Sequence, residues 1–183
     1  MKPLETRLEG PILVEPTVFR DERGFFLESY RRSAYAGLGI DVEFVQDNHS
    51  RSSLGVLRGM HLQTGVGQAK LVRCTLGSIL DVVVDVRRDS PTFGQWEGHQ
   101  LDEDNLRQLF VPVGFAHGFC VTSARADVLY KTSSYYDPSV EMAIAYDDPE
   151  VGIEWPRGIE LVPSAKDAQA PRLGEVAERL VFA

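Results

Sequence analysis

The chain has 183 residues, a formal net charge of −8, and a composition that is 43% hydrophobic and 25% charged. This length fits one ordinary domain with a sizeable core, so we interpret residues 1–183 as a single domain. The acidic balance argues against a nucleic-acid surface, because phosphate backbones are bound by clustered Lys and Arg. No apolar run approaches the roughly 20 residues of a membrane span. Residues 1–15 lack the apolar core of a signal peptide, and we expect a cytoplasmic protein.

Short β-rich runs separated by turn residues follow one another along the chain, which is typical of all-β sandwiches and barrels. Helix is scarce, with short segments predicted only at 33–37 and 173–180, the second within a C-terminal arm at 157–183. Cys74 and Cys120 lie in apolar runs and are expected to be buried free thiols. The predicted strands are 11–19, 24–30, 42–48, 55–63, 69–76, 79–87, 94–101, 107–112, 116–122, 127–134 and 140–146.

The segment 79–87 shows the clearest strand pattern. Apolar residues at 80, 82, 84 and 86 alternate with Asp81, Asp85 and Arg87, which predicts a strand with one face in the core. Gly77-Ser78 precedes it and matches a two-residue turn with glycine first. We therefore expect the strands 70–76 and 79–87 to form an antiparallel hairpin.

Two regions carry more polar groups than a strand core normally holds. They are QDNHSRSSLGVLRGMHLQ at 46–63 and VPVGFAHGFC at 111–120. In the second, Pro112, Gly114 and His117 form Pro-x-Gly-x-x-His, which resembles the second motif of the cupin superfamily of jelly-roll barrels. The first cupin motif would offer His-x-His, but this chain has His61 followed two residues later by Gln63. Two separated histidines do not make a transition-metal site, so we expect a cupin-like fold without metal.

Over roughly residues 10–170 the chain resembles the dTDP-4-dehydrorhamnose 3,5-epimerase family. The resemblance implies a jelly-roll core, a homodimer that exchanges N-terminal strands, and an active site inside the barrel that the partner completes. It also implies a dTDP-4-keto-6-deoxyhexose substrate, inverted at C3 and C5 without a cofactor. The matching segments are DERGFFLESY at 21–30, FVQDNHSRS at 44–52, GVLRGMHLQ at 55–63, QAKLVRC at 68–74, DVVVDVRRDSPTFGQW at 81–96, VPVGFAHGF at 111–119, YKTSSYYDP at 130–138, IEWP at 153–156 and SAKDA at 164–168.

Epimerisation beside a ketone needs a base of suitable pKa and a group that stabilises the enolate oxygen. A keto sugar is its own electron sink, so an enzyme without a nicotinamide motif is chemically reasonable. By resemblance, His61 is the base and Asp167 fixes its tautomer. Lys70 places a cation at the enolate oxygen, and Tyr130 returns a proton to the opposite face of the ring.

The resemblance also implies the residues that bind the nucleotide and the sugar. Arginine suits a diphosphate because its planar guanidinium bonds two oxygens at once. Phe26 and Tyr135 are candidates to stack on thymine, and Arg23, Phe26 and Glu28 are expected to come from the other subunit. The remaining candidates are Gln46, Asn48, Arg58, His117, Glu141 and Lys166.

Strict alternation along 55–63 would send Arg58 and His61 to opposite faces, although both are assigned to the site. One extra residue in a strand re-aims every side chain after it, so we predict a β-bulge near Gly59. Two other functions stay open. One is a 3- or 5-monoepimerase or ketoisomerase of a deoxysugar antibiotic pathway; the other is a non-catalytic cupin that binds a sugar nucleotide.

Overall fold

The computed structural model describes residues 1–183 and consists mainly of β-strands. Its helices are α1 (Arg32–Ala36), α2 (Leu173–Val176) and the 3₁₀ helices Asp167–Gln169 and Ala177–Arg179, and none is long and apolar enough to cross a membrane. The strands are β1 (Lys2–Leu4), β2 (Ile12–Glu15), β3 (Val18–Asp21), β4 (Gly24–Leu27), β5 (Gln46–Ser53), β6 (Val56–Gln63), β7 (Lys70–Leu76), β8 (Ser78–Asp85), β9 (Trp96–Asp102), β10 (Gln108–Val111), β11 (Phe115–Val121), β12 (Arg125–Thr132), β13 (Glu141–Ala143) and β14 (Val162–Pro163).

Two sheets face each other. The first has the strand order β1-β2-β10-β7-β12-β5, and the second has the order β13-β6-β11-β8-β9 with β14 beside β6. Between them lies a cluster of 14 buried residues that includes Leu109 and Val128 from the first sheet and Val83 and Phe119 from the second. This all-β arrangement is the cupin-like jelly roll predicted from the sequence.

The prediction that 79–87 has only one face in the core is wrong. Ile79 and Val83 pack between the sheets, whereas Val82 and Val84 belong to a second core cluster on the outer face of the same sheet. The C-terminal arm supplies Leu173, Val176 and Leu180 to that outer cluster. Because the arm covers the sheet from outside, both faces of β8 are buried, and even Asp81 and Asp85 are 0% exposed.

The predicted hairpin between 70–76 and 79–87 is also wrong. β7 pairs with β10 and β12 in the first sheet, whereas β8 pairs with β9 and β11 in the second. Gly77 is therefore the point where the chain crosses from one sheet to the other. Its φ is +70°, and a Cβ there would lie 2.0 Å from the Arg125 carbonyl oxygen. A corner between two sheets and a tight turn both favour a residue with positive φ, so a glycine at this place in the sequence fits either one.

Most other elements fall where the periodicity placed them, with shifted boundaries. The run 11–19 divides into β2 and β3, the strand predicted at 42–48 runs from Gln46 to Ser53, and β1 and β14 were not predicted. Both helical segments form, the second as α2 followed by a 3₁₀ turn. Cys74 and Cys120 are buried free thiols, as expected.

The hairpin β3–β4 pairs only with itself. It exposes three large aromatic side chains, with Phe19 63%, Phe25 54% and Phe26 70% exposed. A group of exposed apolar side chains often marks an interaction site on the surface of a protein. The hairpin therefore presents an aromatic surface that its own chain leaves largely exposed.

Candidate active site

A β-bulge in β6 brings Arg58 and His61 to the same cleft. Across the β6–β11 ladder His61 is paired with His117 and Arg58 with Phe119, so three steps on β6 oppose two on β11. The extra residue lies between Arg58 and His61, so the bulge is near Gly59, as predicted. Gly59 has φ +141°, and a Cβ there would be 2.5 Å from Gly118 Cα. Only glycine fits this close approach of the two strands without a shift of the backbone.

The cleft has a volume of about 560 Å³ and is bounded by both sheets and by the C-terminal arm. β6 and β11 form one wall, β12 contributes Tyr130 from the other sheet, and the residues 162–167 close one side. Its polar lining consists of Ser50, Arg58, His61, His117, Tyr130, Glu141, Ser164, Lys166 and Asp167. Seven of the candidate site residues thus line this cleft: Arg58, His61, His117, Tyr130, Glu141, Lys166 and Asp167.

His61 and Asp167 form the expected pair. His61 Nε2 lies 2.6 Å from Asp167 Oδ1, and the side chains are 32% and 4% exposed. A carboxylate accepts from Nε2–H, so Nδ1, which has no hydrogen-bond partner in the protein, is left as the basic nitrogen. The Ser164 hydroxyl accepts the backbone N–H of Asp167 and helps to fix the 3₁₀ helix that carries the carboxylate.

The electrostatics of the cleft favour a neutral base. Burial lowers the pKa of His61, and this effect outweighs the opposing contribution of Asp167. His61 is therefore unprotonated at neutral pH and able to accept a proton. Its carboxylate partner stabilises the imidazolium that forms when it does so.

Lys70 lies behind His61. Its side chain is buried, and Nζ donates to the His61 carbonyl oxygen at 3.4 Å. Burial lowers the pKa of Lys70 to about 8, while the negative charges of Asp81 and Glu141 partly oppose this shift. At neutral pH the ammonium is charged in a poorly hydrated place, where a cation interacts strongly with a developing anion.

Tyr130 faces the cleft from the opposite sheet. It lies on β12, paired with Asn48 on β5, whereas His61 lies on β6 of the second sheet. Burial raises the pKa of Tyr130, so the phenol carries its proton at neutral pH. A molecule in the cleft is therefore placed between a base on one sheet and a proton donor on the other.

Arg58 is the cation best placed to receive an anionic ligand. Its Nε donates to Ser52 Oγ at 3.1 Å, and it forms no ion pair with a carboxylate. By contrast, Lys166 is paired with Glu141, which also accepts from the Tyr136 hydroxyl at 3.0 Å. Arg58 thus retains free N–H donors at the cleft.

Some candidates do not line the cleft within one chain. Tyr135 is 72% exposed in a neighbouring groove near residues 63–66. Gln46 Nε2 donates to Asn48 Oδ1 at 3.0 Å on β5. The remaining three, Arg23, Phe26 and Glu28, lie on or just after the β3–β4 hairpin, where Arg23 pairs with Asp21 and Glu28 with Arg31.

Sequence reasoning missed Asp81 as a site residue. Both of its carboxylate oxygens lie near His117 Nε2, at 3.0 and 3.1 Å, and the pair is buried. Its place between the apolar residues of 79–87 suggested a solvent-facing side chain. Asp81 instead lies on the interior face of the sheet with Val83, where the first sheet covers it, whereas Val82 and Val84 face outwards under the C-terminal arm.

The residues present contain no group of three or more His, Cys, Asp or Glu side chains arranged to hold a metal ion. Independence of metal and cofactor stays a prediction from the sequence. The available chemistry is that of proton transfer: a neutral imidazole and a phenol line the cleft, and a buried ammonium lies behind the imidazole.

A jelly roll with such a cleft between its sheets defines a cupin-like acid–base enzyme. The family model described as dTDP-4-dehydrorhamnose 3,5-epimerase matches residues 5–175. The chain belongs to this family of isomerases, as its sequence predicted.

Individual relatives agree with the family assignment. A Salmonella typhimurium protein named dTDP-4-dehydrorhamnose 3,5-epimerase is 51% identical over 174 residues, which cover 94% of this chain and 95% of the relative. A solved Legionella pneumophila epimerase in complex with dTDP-4-keto-L-rhamnose superposes with a TM-score of 0.95 at 47% identity, covering 100% and 98% of the two chains. A 3′-monoepimerase from Streptomyces bikiniensis, in complex with dTDP-quinovose, has a TM-score of 0.89 at 38% identity, covering 98% and 90%.

Proposed function

We propose that this protein inverts C3 and C5 of dTDP-4-keto-6-deoxy-D-glucose to give dTDP-4-keto-L-rhamnose. The observation that carries the proposal is the placement of the His61–Asp167 pair and Tyr130 on opposite walls of one cleft. Inversion at a carbon requires that a proton leave one face of the ring and return to the other. A base and an acid on opposing sheets meet that requirement.

In this mechanism neutral His61 removes the proton beside the C4 ketone, and the electrons pass to the ketone oxygen to form an enolate. The Lys70 ammonium stabilises that oxygen. Tyr130 then protonates the carbon from the far face and becomes a phenolate. His61 releases its proton to solvent and Tyr130 takes one from solvent, after which the same steps follow at the second carbon. A general base contributes roughly 10²–10⁴ in rate, and one stabilising donor at the oxygen contributes about 10²–10³.

The nucleotide would lie along the cleft with its diphosphate on Arg58, the cation that has no carboxylate partner. His117, Gln46, Asn48, Glu141 and Lys166 are proposed to bind the sugar or the nucleotide. Tyr135 is proposed to stack on thymine, supported by its exposure beside the cleft.

We further propose a homodimer in which Arg23, Phe26 and Glu28 of one copy complete the cleft of the other. The proposal is supported by the β3–β4 hairpin, which exposes Phe19, Phe25 and Phe26 and makes no strand pairing with the rest of its own chain. Sedimentation of the protein, compared with a Phe25→Ser/Phe26→Ser variant, tests this. A dimer that dissociates in the variant supports the proposal, and a monomeric wild-type protein refutes it.

A monoepimerase is the second candidate, because the Streptomyces bikiniensis 3′-monoepimerase shares the fold. The two functions are separated by their products. The enzyme is incubated with dTDP-4-keto-6-deoxyglucose, the ketone is reduced with borohydride, and the sugars are identified by NMR. We expect the L-rhamnose nucleotide among the products. Sugars inverted at one carbon only would instead establish the monoepimerase, and unchanged sugar would support the non-catalytic binding protein.

A further inference from the structure

A line of polar side chains crosses the interior face of the second sheet behind the cleft. β9 contributes Glu97 and His99, whose side chains are only 10% and 11% exposed. Glu97 Oε2 accepts the backbone N–H groups of Arg7 and Leu8, each at 2.8 Å. The carboxylate is therefore held by main chain, with its other oxygen 3.0 Å from His99 Nε2.

His99 links this pair to the cleft. In the β8–β9 ladder it stands directly opposite Asp81, on the face that also carries Val83 and Leu101 of the interior cluster. Directly opposed side chains on one face of a sheet have Cβ atoms about 5 Å apart. Asp81 in turn contacts His117, which lines the cleft.

We propose that His99, fixed by Glu97, is a positioning residue that holds the carboxylate of Asp81 and, through it, His117 and Lys70. The inference rests on the proposed function, because His117 and Lys70 act in that reaction. No cleft residue forms a hydrogen bond or an ion pair with His99, so we expect its effect on turnover to pass through Asp81.

The physical reason is the isolation of Asp81. A fully buried carboxylate must be compensated by neighbouring donors and cations. Both Asp81 oxygens share one nitrogen of His117, and the Lys70 ammonium supplies charge from the other sheet. The His99 ring stands opposite Asp81 on the same face of the sheet, and we expect it to limit the movement of that carboxylate.

We therefore expect protonation of His99 to change the electrostatic environment of the His117 ring. Burial lowers the pKa of His99, the negative charges of Glu97 and Asp81 raise it, and Arg107 lowers it. The ring is neutral at neutral pH. As the pH falls it gains a charge and competes with His117 and Lys70 for Asp81.

The first test uses the wild-type protein labelled with ¹⁵N-histidine. The ring nitrogen shifts of all four histidines are followed by NMR as the pH is lowered. We expect the His117 signals to show an inflection at the pH where His99 titrates. His117 signals without an inflection at that pH would overturn the proposal.

Two variants show whether this inflection in the His117 signals arises from the Glu97–His99 pair. In Glu97→Gln the loss of a negative charge lowers the pKa of His99, so the inflection at His117 moves to lower pH with it. In His99→Gln the inflection disappears. The matched control is His49→Gln, which removes a largely exposed histidine paired with Asp127, and which keeps the inflection. An inflection that persists unchanged in His99→Gln refutes the link.

Turnover gives the second readout. We expect His99→Val to lower kcat/KM about tenfold, the size of one hydrogen bond to a charged group, and His99→Gln to recover most of it. Equal kcat/KM and equal pH profiles in all three proteins would leave His99 as a structural residue and contradict the proposal. The NMR result does not require turnover, so a wild-type protein that fails to epimerise would refute the proposed function without deciding the role of His99.

Discussion

His61 and Asp167 are 106 positions apart in the chain, yet His61 Nε2 lies 2.6 Å from Asp167 Oδ1. β6 supplies the imidazole, and a 3₁₀ helix of the C-terminal arm supplies the carboxylate. The arm therefore both covers the outer face of the second sheet and delivers the carboxylate partner of His61 to the cleft.

His61→Asn is expected to lower kcat by roughly 10²–10⁴, because proton abstraction occurs only in the transition state. The dissociation constant for dTDP, measured by calorimetry, should stay within a few-fold. Arg58→Ala should show the reverse pattern, with weaker dTDP binding and a smaller loss of kcat, because a phosphate contact is shared by ground and transition states. An Asn variant that kept more than about a hundredth of wild-type kcat would require a different base.

Asp167→Asn is expected to lower kcat by roughly 10²–10⁴, because an amide no longer fixes the tautomer and stabilises the imidazolium. Asp167 raises the pKa of His61 while burial lowers it. Removing the carboxylate therefore lowers that pKa further, and the acid limb of the kcat profile, where His61 gains a proton, moves to lower pH. Asp137→Asn, at an exposed turn, is the control and should keep the wild-type profile. A limb that moved to higher pH would contradict this electrostatic account.

The pKa of Lys70 predicts a basic limb in the pH profile of kcat. Its pKa is about 8, so kcat should fall as the pH rises through about 8 and the ammonium becomes neutral. Tyr130 does not produce this limb, since burial raises its pKa above the ordinary value of 10.0. Lys70→Met should lower kcat by roughly 10²–10³ and remove the limb, whereas Lys2→Met, on the exposed strand β1, should change neither. A limb near pH 8 that persisted in Lys70→Met would assign it to another group.

Gly59→Ala tests the bulge. The new Cβ would meet Gly118 at 2.5 Å with φ at +141°. We expect the free energy of unfolding, measured in urea, to fall by roughly 2–5 kcal/mol from strain and overpacking together. Gly24→Ala is the matched control, because Gly24 has φ +125° and nothing within 4 Å of the added Cβ. Equal losses of unfolding free energy in the two variants would show that the close approach of β6 and β11 does not make Gly59 more sensitive to an added Cβ.

The all-β class and most strands were predictable because alternation and turn residues are local signals. The predictions that were wrong depend on contacts between residues far apart in the sequence. The pattern of residues 79–87 indicates one buried face, and only the later arm, with Leu173 and Val176, shows why both are buried. Gly77 indicates a tight turn from the sequence alone, but a corner between sheets requires the same positive φ, so the local pattern does not distinguish a hairpin from a corner.

The site was partly predictable for a similar reason. Alternation requires a bulge if Arg58 and His61 are to share a face, and the ladder contains it. Asp167 has no local signal in the arm, and its role came only from resemblance to the family. The proposed roles of Arg23, Phe26 and Glu28 require a second copy of the chain, and periodicity carries no information about a partner.

The most direct test of double inversion is the reaction of the wild-type enzyme with dTDP-4-keto-6-deoxyglucose in heavy water. In the proposed mechanism the new proton comes from Tyr130, whose hydroxyl exchanges with solvent, so each inverted carbon acquires deuterium. We expect mass spectrometry and NMR of the reduced product to show deuterium at both C3 and C5. Deuterium at C3 alone would contradict double inversion and leave a monoepimerase in its place.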